Sequence, residues 1–164
     1  MANVGISTLT STDVHEVTTD KRGTLGQIAM TSDGRKYRYA KNGGTPLAAG
    51  AGIKKSATVD ASGTTQAAYK PADRMIATGA SVSSPAKYED AIVEINKAKY
   101  LANGVTASGV VSLTEPLDVA AAKAAAVKIS ANQFCEVATG TSDTIGTAEV
   151  AVPANAYFWA LVSM

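Results

Sequence analysis

Asp33-Gly34 sits between two short runs, Gln27–Ser32 and Arg35–Lys41, and constrains the fold more than any other pair in the chain. Such a pair fills a two-residue hairpin turn, in which both central residues need positive φ. A turn of that size sets the register. Ser32 then faces Arg35, Thr31 faces Lys36, Met30 faces Tyr37, Ala29 faces Arg38 and Ile28 faces Tyr39. Side chains alternate across a strand, so Ile28, Met30, Tyr37 and Tyr39 are expected on one face. Ala29, Thr31, Lys36 and Arg38 fall on the other, and a slip by one residue would mix the two sets. The pair predicts a β-hairpin and carries no chemistry of its own.

Turn signals recur through the rest of the chain. Asn42-Gly43-Gly44-Thr45-Pro46 is a turn cluster, and two or three short strands are expected between Ile53 and Val82. Ser83-Ser84-Pro85 opens a stretch with two readings. Ser84 as N-cap with Pro85 behind it would start a helix through Lys97. The β-branched Ile92, Val93 and Ile95 favour strands instead, with Asn96-Lys97 turning the chain into a second strand around Lys99–Ala102. Asn103-Gly104 reads as a further turn, and Val110–Thr114 as a strand that Glu115-Pro116 ends. Asp118–Lys128 has the highest helix propensity in the chain, with Asp118 placed to cap it, yet a helix so short depends on packing. After Ile129 the β pattern returns, which puts Phe134 and Cys135 in a strand. Ala156–Val162 closes the chain, with Tyr157 and Trp159 on one face and Phe158 on the other. Both faces of that strand are expected to be covered, one by the core and the other by a partner or a loop. The fold class is therefore mainly β: an antiparallel β-sandwich or barrel, jelly-roll-like, with at most one short helix near 118–128. An extended N-terminal arm over 1–22 precedes a single β-rich domain over 23–164.

Composition narrows the function. A net charge of +1 with 18% charged residues argues against an electrostatic nucleic-acid binder. No window has the roughly 18 consecutive apolar residues of a membrane helix, and no secretory signal pattern opens the chain. A single cysteine, Cys135, excludes an intrachain disulfide framework. The lone His15 has no second His or Cys near it, so no metal or other cofactor is expected. Nucleophilic catalysis lacks a base beside a Ser or Cys, and Gly43-Gly44 has no phosphate-loop context. Carboxylates such as Glu89, Asp90 and Asp118 are available for hydrolysis, as in any chain of this length. Read from its residues alone, the chain is a soluble β-rich domain without an active site. Small residues (Ala, Gly, Ser, Thr) fill almost half of it and aromatics only 5%, which promises a thin core and gain from association. The cationic Arg35, Lys36 and Arg38 suit either a solvated strand face or an acidic partner, since lysine and arginine also guard sheet edges.

Several segments together resemble the capsid decoration, or cement, proteins of tailed bacteriophages. They are Leu25-Gly26, Asp33–Tyr39, Leu47-Ala48-Ala49-Gly50, Leu113-Thr114-Glu115-Pro116-Leu117 and Asn155–Ala160, in that order across most of the chain. The resemblance implies a non-enzymatic virion protein, commonly a homotrimer, assembled in the host cytoplasm. It would sit on the outer capsid surface and reinforce contacts of the major capsid protein, with no nucleic-acid or membrane partner. The alternative is a tail or adhesion module that binds carbohydrate, which needs an exposed aromatic platform; a small hydrolase ranks third. Contact with the capsid or a neighbouring subunit is assigned to Val4, Ile6, Leu9 and Val14 of the arm and to Arg35, Lys36 and Arg38. Tyr157, Phe158 and Trp159 are assigned to a subunit interface or the core.

Overall fold

The computed structural model describes residues 7–10, 12–55 and 60–163. The chain is mainly β, as expected. Its strands are β1 (Ser7–Thr8), β2 (Ile28–Met30), β3 (Lys36–Lys41), β4 (Ala51–Lys54), β5 (Ala61–Thr64), β6 (Met75–Ala77) and β7 (Ala91–Ile95). They continue with β8 (Ala98–Val105), β9 (Val110–Leu113), β10 (Ala126–Ser130), β11 (Ala138–Thr139), β12 (Thr144–Ala148) and β13 (Tyr157–Ser163). Helical structure among the described residues is limited to two 3₁₀ turns, Asp13–His15 and Pro85–Tyr88. The chain divides into two compact units where one domain was expected over 23–164. One unit takes in the chain up to Ala57 together with Gln133 onward, and the other is the contiguous stretch Thr58–Asn132.

The contiguous unit is a small six-stranded barrel-like sheet in the order β5-β10-β7-β8-β9-β6, antiparallel throughout. Its two outer strands meet where Thr64 N donates to Thr78 O and Gln66 N to Ala77 O, both at 2.9 Å. Gly63 permits the closure, because a Cβ there would lie 2.3 Å from Thr78 O. Inward residues come from nearly every strand: Ile76, Val93, Ile95, Val111, Leu113, Val127 and Ile129 are all buried. Each such side chain contributes roughly 1.5–3 kcal/mol through burial. The strand reading of 85–97 holds, with only a 3₁₀ turn at Pro85 in front of β7. Asn96 (φ 49°) and Lys97 (φ 70°) form the two-residue turn, pairing Ile95 with Ala98. Two positive φ values in succession are what a type I′ turn requires.

Asn103-Gly104 is not a turn. It lies inside β8, where the register with β9 shifts between Ala102 and Gly104, so Asn103 is the extra residue of a bulge. No helix forms over 118–128 either. Ala121 and Tyr69 exchange backbone hydrogen bonds, and Ala124 N donates to Thr65 O while Thr65 N donates to Ala125 O. Those partners claim the groups a helix would have used, Ala124 turns to φ 66°, and Ala126 enters β10. Propensity loses to packing at this length.

The discontinuous unit is a seven-stranded sheet in the order β1-β2-β3-β13-β12-β4-β11. Only β1 runs parallel to its neighbour. The β2–β3 hairpin forms, but its expected register is wrong. Met30 pairs with Lys36, Ala29 with Tyr37 and Ile28 with Arg38. Thr31 N donates to Arg35 O and Gly34 N to Thr31 O, both at 3.0 Å, so the loop has three residues, Ser32-Asp33-Gly34. Gly34 alone in it has positive φ (87°), as in a type I turn followed by a glycine bulge. Asp33 stabilises this longer loop by accepting from the Thr31 hydroxyl and, at 2.8 Å, from Arg35 Nε. The extra residue exchanges the faces: Ala29, Tyr37 and Tyr39 are buried, while Ile28 and Met30 are half-exposed. The closing strand β13 forms as expected, with Trp159 opposite Tyr39 and Phe158 opposite Ala40.

Candidate functional site

The face of β3 and β13 that carries Tyr37, Tyr39, Tyr157 and Trp159 is the most distinctive surface of the discontinuous unit. Alternation puts these side chains together, and the β13–β3 register brings the rings into contact. Tyr39 stacks on Tyr157 with centroids 5.8 Å apart and lies at 5.0 Å from Trp159, tilted by 53°. The covering expected for this face comes from the chain's own N-terminal segment. Val14 plugs in beside Ala29 and Tyr37, and Val17 packs on the cluster that holds Tyr157. Thr18 and Tyr157 exchange backbone hydrogen bonds at 2.8 and 3.0 Å. Arg22 N donates to the Tyr39 hydroxyl at 2.9 Å. The described part of the arm is therefore a strap over its own sheet.

A polar cluster fastens the strap at one end. Glu149, just after β12, accepts from the Tyr37 hydroxyl at 2.8 Å and from Arg35 Nη1 at 3.4 Å. His15 Nε2, at the end of the first 3₁₀ turn, lies 3.4 Å from the same carboxylate. Arg35 is held in turn by Asp33. Burial first, and then the bond to Glu149, pushes the Tyr37 hydroxyl up to about 12. The Thr31 hydroxyl, ahead of Arg35, holds Asp33 below the usual carboxylate value, and the bond from Asp33 raises Arg35. A carboxylate that accepts from two hairpin side chains and lies beside His15 is an anchor: it ties the hairpin and the strap to the end of β12.

The residues assigned from sequence scatter around this face. Val4 and Ile6 lie outside the described residues. Leu9 is half-buried against the Val14 cluster, and Val14 itself is 2% exposed, so both serve their own unit. Arg35 joins the Glu149 cluster and Lys36 is exposed. Arg38 donates to Gly26 O at 2.7 Å and stands over the Phe134 ring at 6.0 Å. Tyr157 and Phe158 are core, and Trp159 is half-buried. Cys135 is buried but lies at a bend, outside any strand. Glu149 was missed, because a glutamate 112 residues from Tyr37 gives no local sign of the pairing. Among the described residues no group of three or more His, Cys, Asp or Glu is placed to hold a metal ion. Nor, among the described residues, is any helix long and apolar enough to cross a membrane.

No protein-family model matches the chain, and neither a curated protein nor a solved structure does. The geometry and the sequence resemblance have to carry the functional reading between them.

At the edge of the same sheet lies β1. Among the described residues it pairs with β2 alone, at Ser7–Ala29 and Thr8–Met30, and Leu9 N extends the ladder to Met30 O at 3.0 Å. It is outermost in the strand order, so its other side faces away from the sheet. Edge strands present a row of donors and acceptors that a further strand can use.

Proposed function

We propose that the chain is a non-enzymatic structural protein of a tailed-phage virion. It decorates the outer capsid surface and stabilises the shell by adding contacts between capsomers, as a homotrimer docked on the major capsid protein. The observation that carries the reading is the edge position of β1, which continues the segment assigned to a neighbour. A strand added at that edge would supply main-chain hydrogen bonds with little demand on side-chain identity, which suits a Ser/Thr-rich segment. Three linked copies would turn later contacts with the lattice into intramolecular ones, raising avidity by about 10²–10⁴.

The segments that resemble decoration proteins also coincide with positions that set the frame. Leu25, Leu47, Leu113 and Leu117 are each at most 3% exposed. Gly26, Gly34, Gly50 and Asn155 all have positive φ. The resemblance thus rests on fold-bearing residues. A carbohydrate-binding module is disfavoured because Tyr39 and Tyr157 are 3% and 8% exposed beneath the strap, which leaves no open aromatic platform on this face.

The test must spare Val14, since removing it would damage the core. Chain lacking Met1–Ile6 should keep its circular dichroism spectrum and melting behaviour, yet occupy empty shells less than the full chain does in co-sedimentation. Equal occupancy would remove residues 1–6 as the contact, since Ser7–Thr8 stays in the truncated chain. A full-length chain that stays a non-binding monomer would remove the decoration reading.

A further inference from the structure

The two Asn-Gly pairs of the barrel and of the seven-stranded sheet, Asn103-Gly104 and Asn42-Gly43, meet opposite fates in the fold. Asparagine followed by glycine is suited to intramolecular imide formation, because the glycine nitrogen approaches the asparagine Cγ with no side chain in the way. Whether it reacts depends on how firmly the surroundings hold both groups.

Asn42 is locked. It is 0% exposed, and its Nδ2 is held by the carbonyls of Thr45 (2.9 Å), Pro153 (3.0 Å) and Val152 (3.3 Å). The attacking atom is occupied as well, since Gly43 N donates to Val137 O at 3.0 Å. Asn103 differs in its exposure and in what holds its side chain. It is exposed, and it is the extra residue of the β8 bulge, where regular pairing is interrupted. Gly104 pairs with Ser112 in the ladder, but a Cβ built on it would meet nothing within 4 Å, so its outer side is open for the Asn103 side chain to swing toward it. The Thr114 hydroxyl donates to Asn103 Oδ1 at 2.9 Å, drawing electrons from the carbonyl under attack and stabilising the oxyanion that follows. Thr114 is fixed in turn, its N donating to Leu101 O at 2.9 Å and its O accepting from Arg74 Nη1 at 2.7 Å.

We propose that Asn103 is a self-modification site, which converts through a succinimide to aspartate and isoaspartate while Asn42 stays intact. The Gly104 amide nitrogen gives up its proton to solvent base and bonds to Asn103 Cγ. The Cγ–Nδ2 bond breaks and ammonia leaves with a proton from water. A water molecule then opens the ring. Attack at Cγ restores the ordinary main chain and yields aspartate, and attack at the Asn103 backbone carbonyl yields isoaspartate. Water is the only co-reactant and nothing is oxidised or reduced. Either product adds a negative charge beside Thr114, whose hydroxyl donates as well to a carboxylate as to an amide.

The experiment is to age the intact native chain in mildly alkaline buffer and follow the two Asn-Gly peptides by mass spectrometry, with isoaspartate resolved chromatographically. Asn103 should convert about tenfold or more faster than Asn42, because a locked site reacts only from locally opened states. In the denatured chain the two rates should converge. Thr114→Val should slow conversion of Asn103, and Thr114→Ser, which keeps the hydroxyl, should restore it. Native Asn103 reacting no faster than Asn42 would overturn the proposal, and that comparison needs no variant to fold. Thr114→Val reacting at the wild-type rate would overturn the part given to the hydroxyl.

Discussion

Gly34 carries the hairpin loop through a backbone angle alone. Its φ is 87° and a Cβ there would touch nothing within 4 Å, so substitution costs conformation and no packing. Gly34→Val should destabilise by about 1–2 kcal/mol in chemical denaturation, and Gly34→Asn by less, since asparagine visits the left-handed region more readily. Asp33-Gly34 was legible as a turn but not as a turn of a given length. A glycine with positive φ serves a two-residue I′ turn and a three-residue loop alike, and the side chains of Thr31 and Asp33 tip the balance to the second. Tyr37 gives a pH signature. Its folded value is raised to about 12, so its contribution is complete below the ordinary tyrosine value near 10 and is lost as pH climbs through 12. Ultraviolet titration should find late-ionising tyrosines, since burial also raises Tyr88 and Tyr100, with a Tyr37 step at about 12. Tyr37→Phe should abolish that step and cost about 1 kcal/mol at neutral pH, where the bond to Glu149 is missed.

Among the elements, the N-terminal strap is where sequence and structure part furthest. Nothing in a Ser/Thr-rich stretch announces that Val14 fills a hole beside Tyr37, because a single apolar residue has no periodicity to read. Val14→Ala should cost about 2 kcal/mol. It should also speed tryptic cleavage at Lys21 and Arg22, while the barrel residues keep their protection in hydrogen exchange. Unchanged cleavage would mean that Thr18 and Glu149 hold the strap without the plug. The closing strand, expected over Ala156–Val162, was legible to within one residue at each end, since three consecutive aromatics on alternating faces leave little choice. Asn96-Lys97 was legible because β-branched residues lead straight into it. The Ala-rich run was misleading for the opposite reason: alanine has helix propensity and no side chain with which to defend it, so Thr65 and Tyr69 recruit its backbone.

At the scale of the whole molecule, the contiguous unit owns a complete core, from Ala61 to Ile129, with its outer strands joined through Thr78 and Ala77. The excised stretch 58–132 should therefore fold alone and melt cooperatively, as a unit with its own core can. A fragment without dispersed amide signals in its NMR spectrum would contradict that. The division into two units was not legible, because β4 and β11 pair across the whole intervening stretch. As proposed, the chain stabilises a phage shell by binding to it. The most direct measurement is the heat resistance of empty phage shells carrying saturating amounts of the chain, scored by light scattering and electron microscopy. Decorated shells should stay intact to a higher temperature than bare ones, with protein bound at a fixed ratio to the major capsid protein. Shells that break at the same temperature with no protein on them would contradict the account.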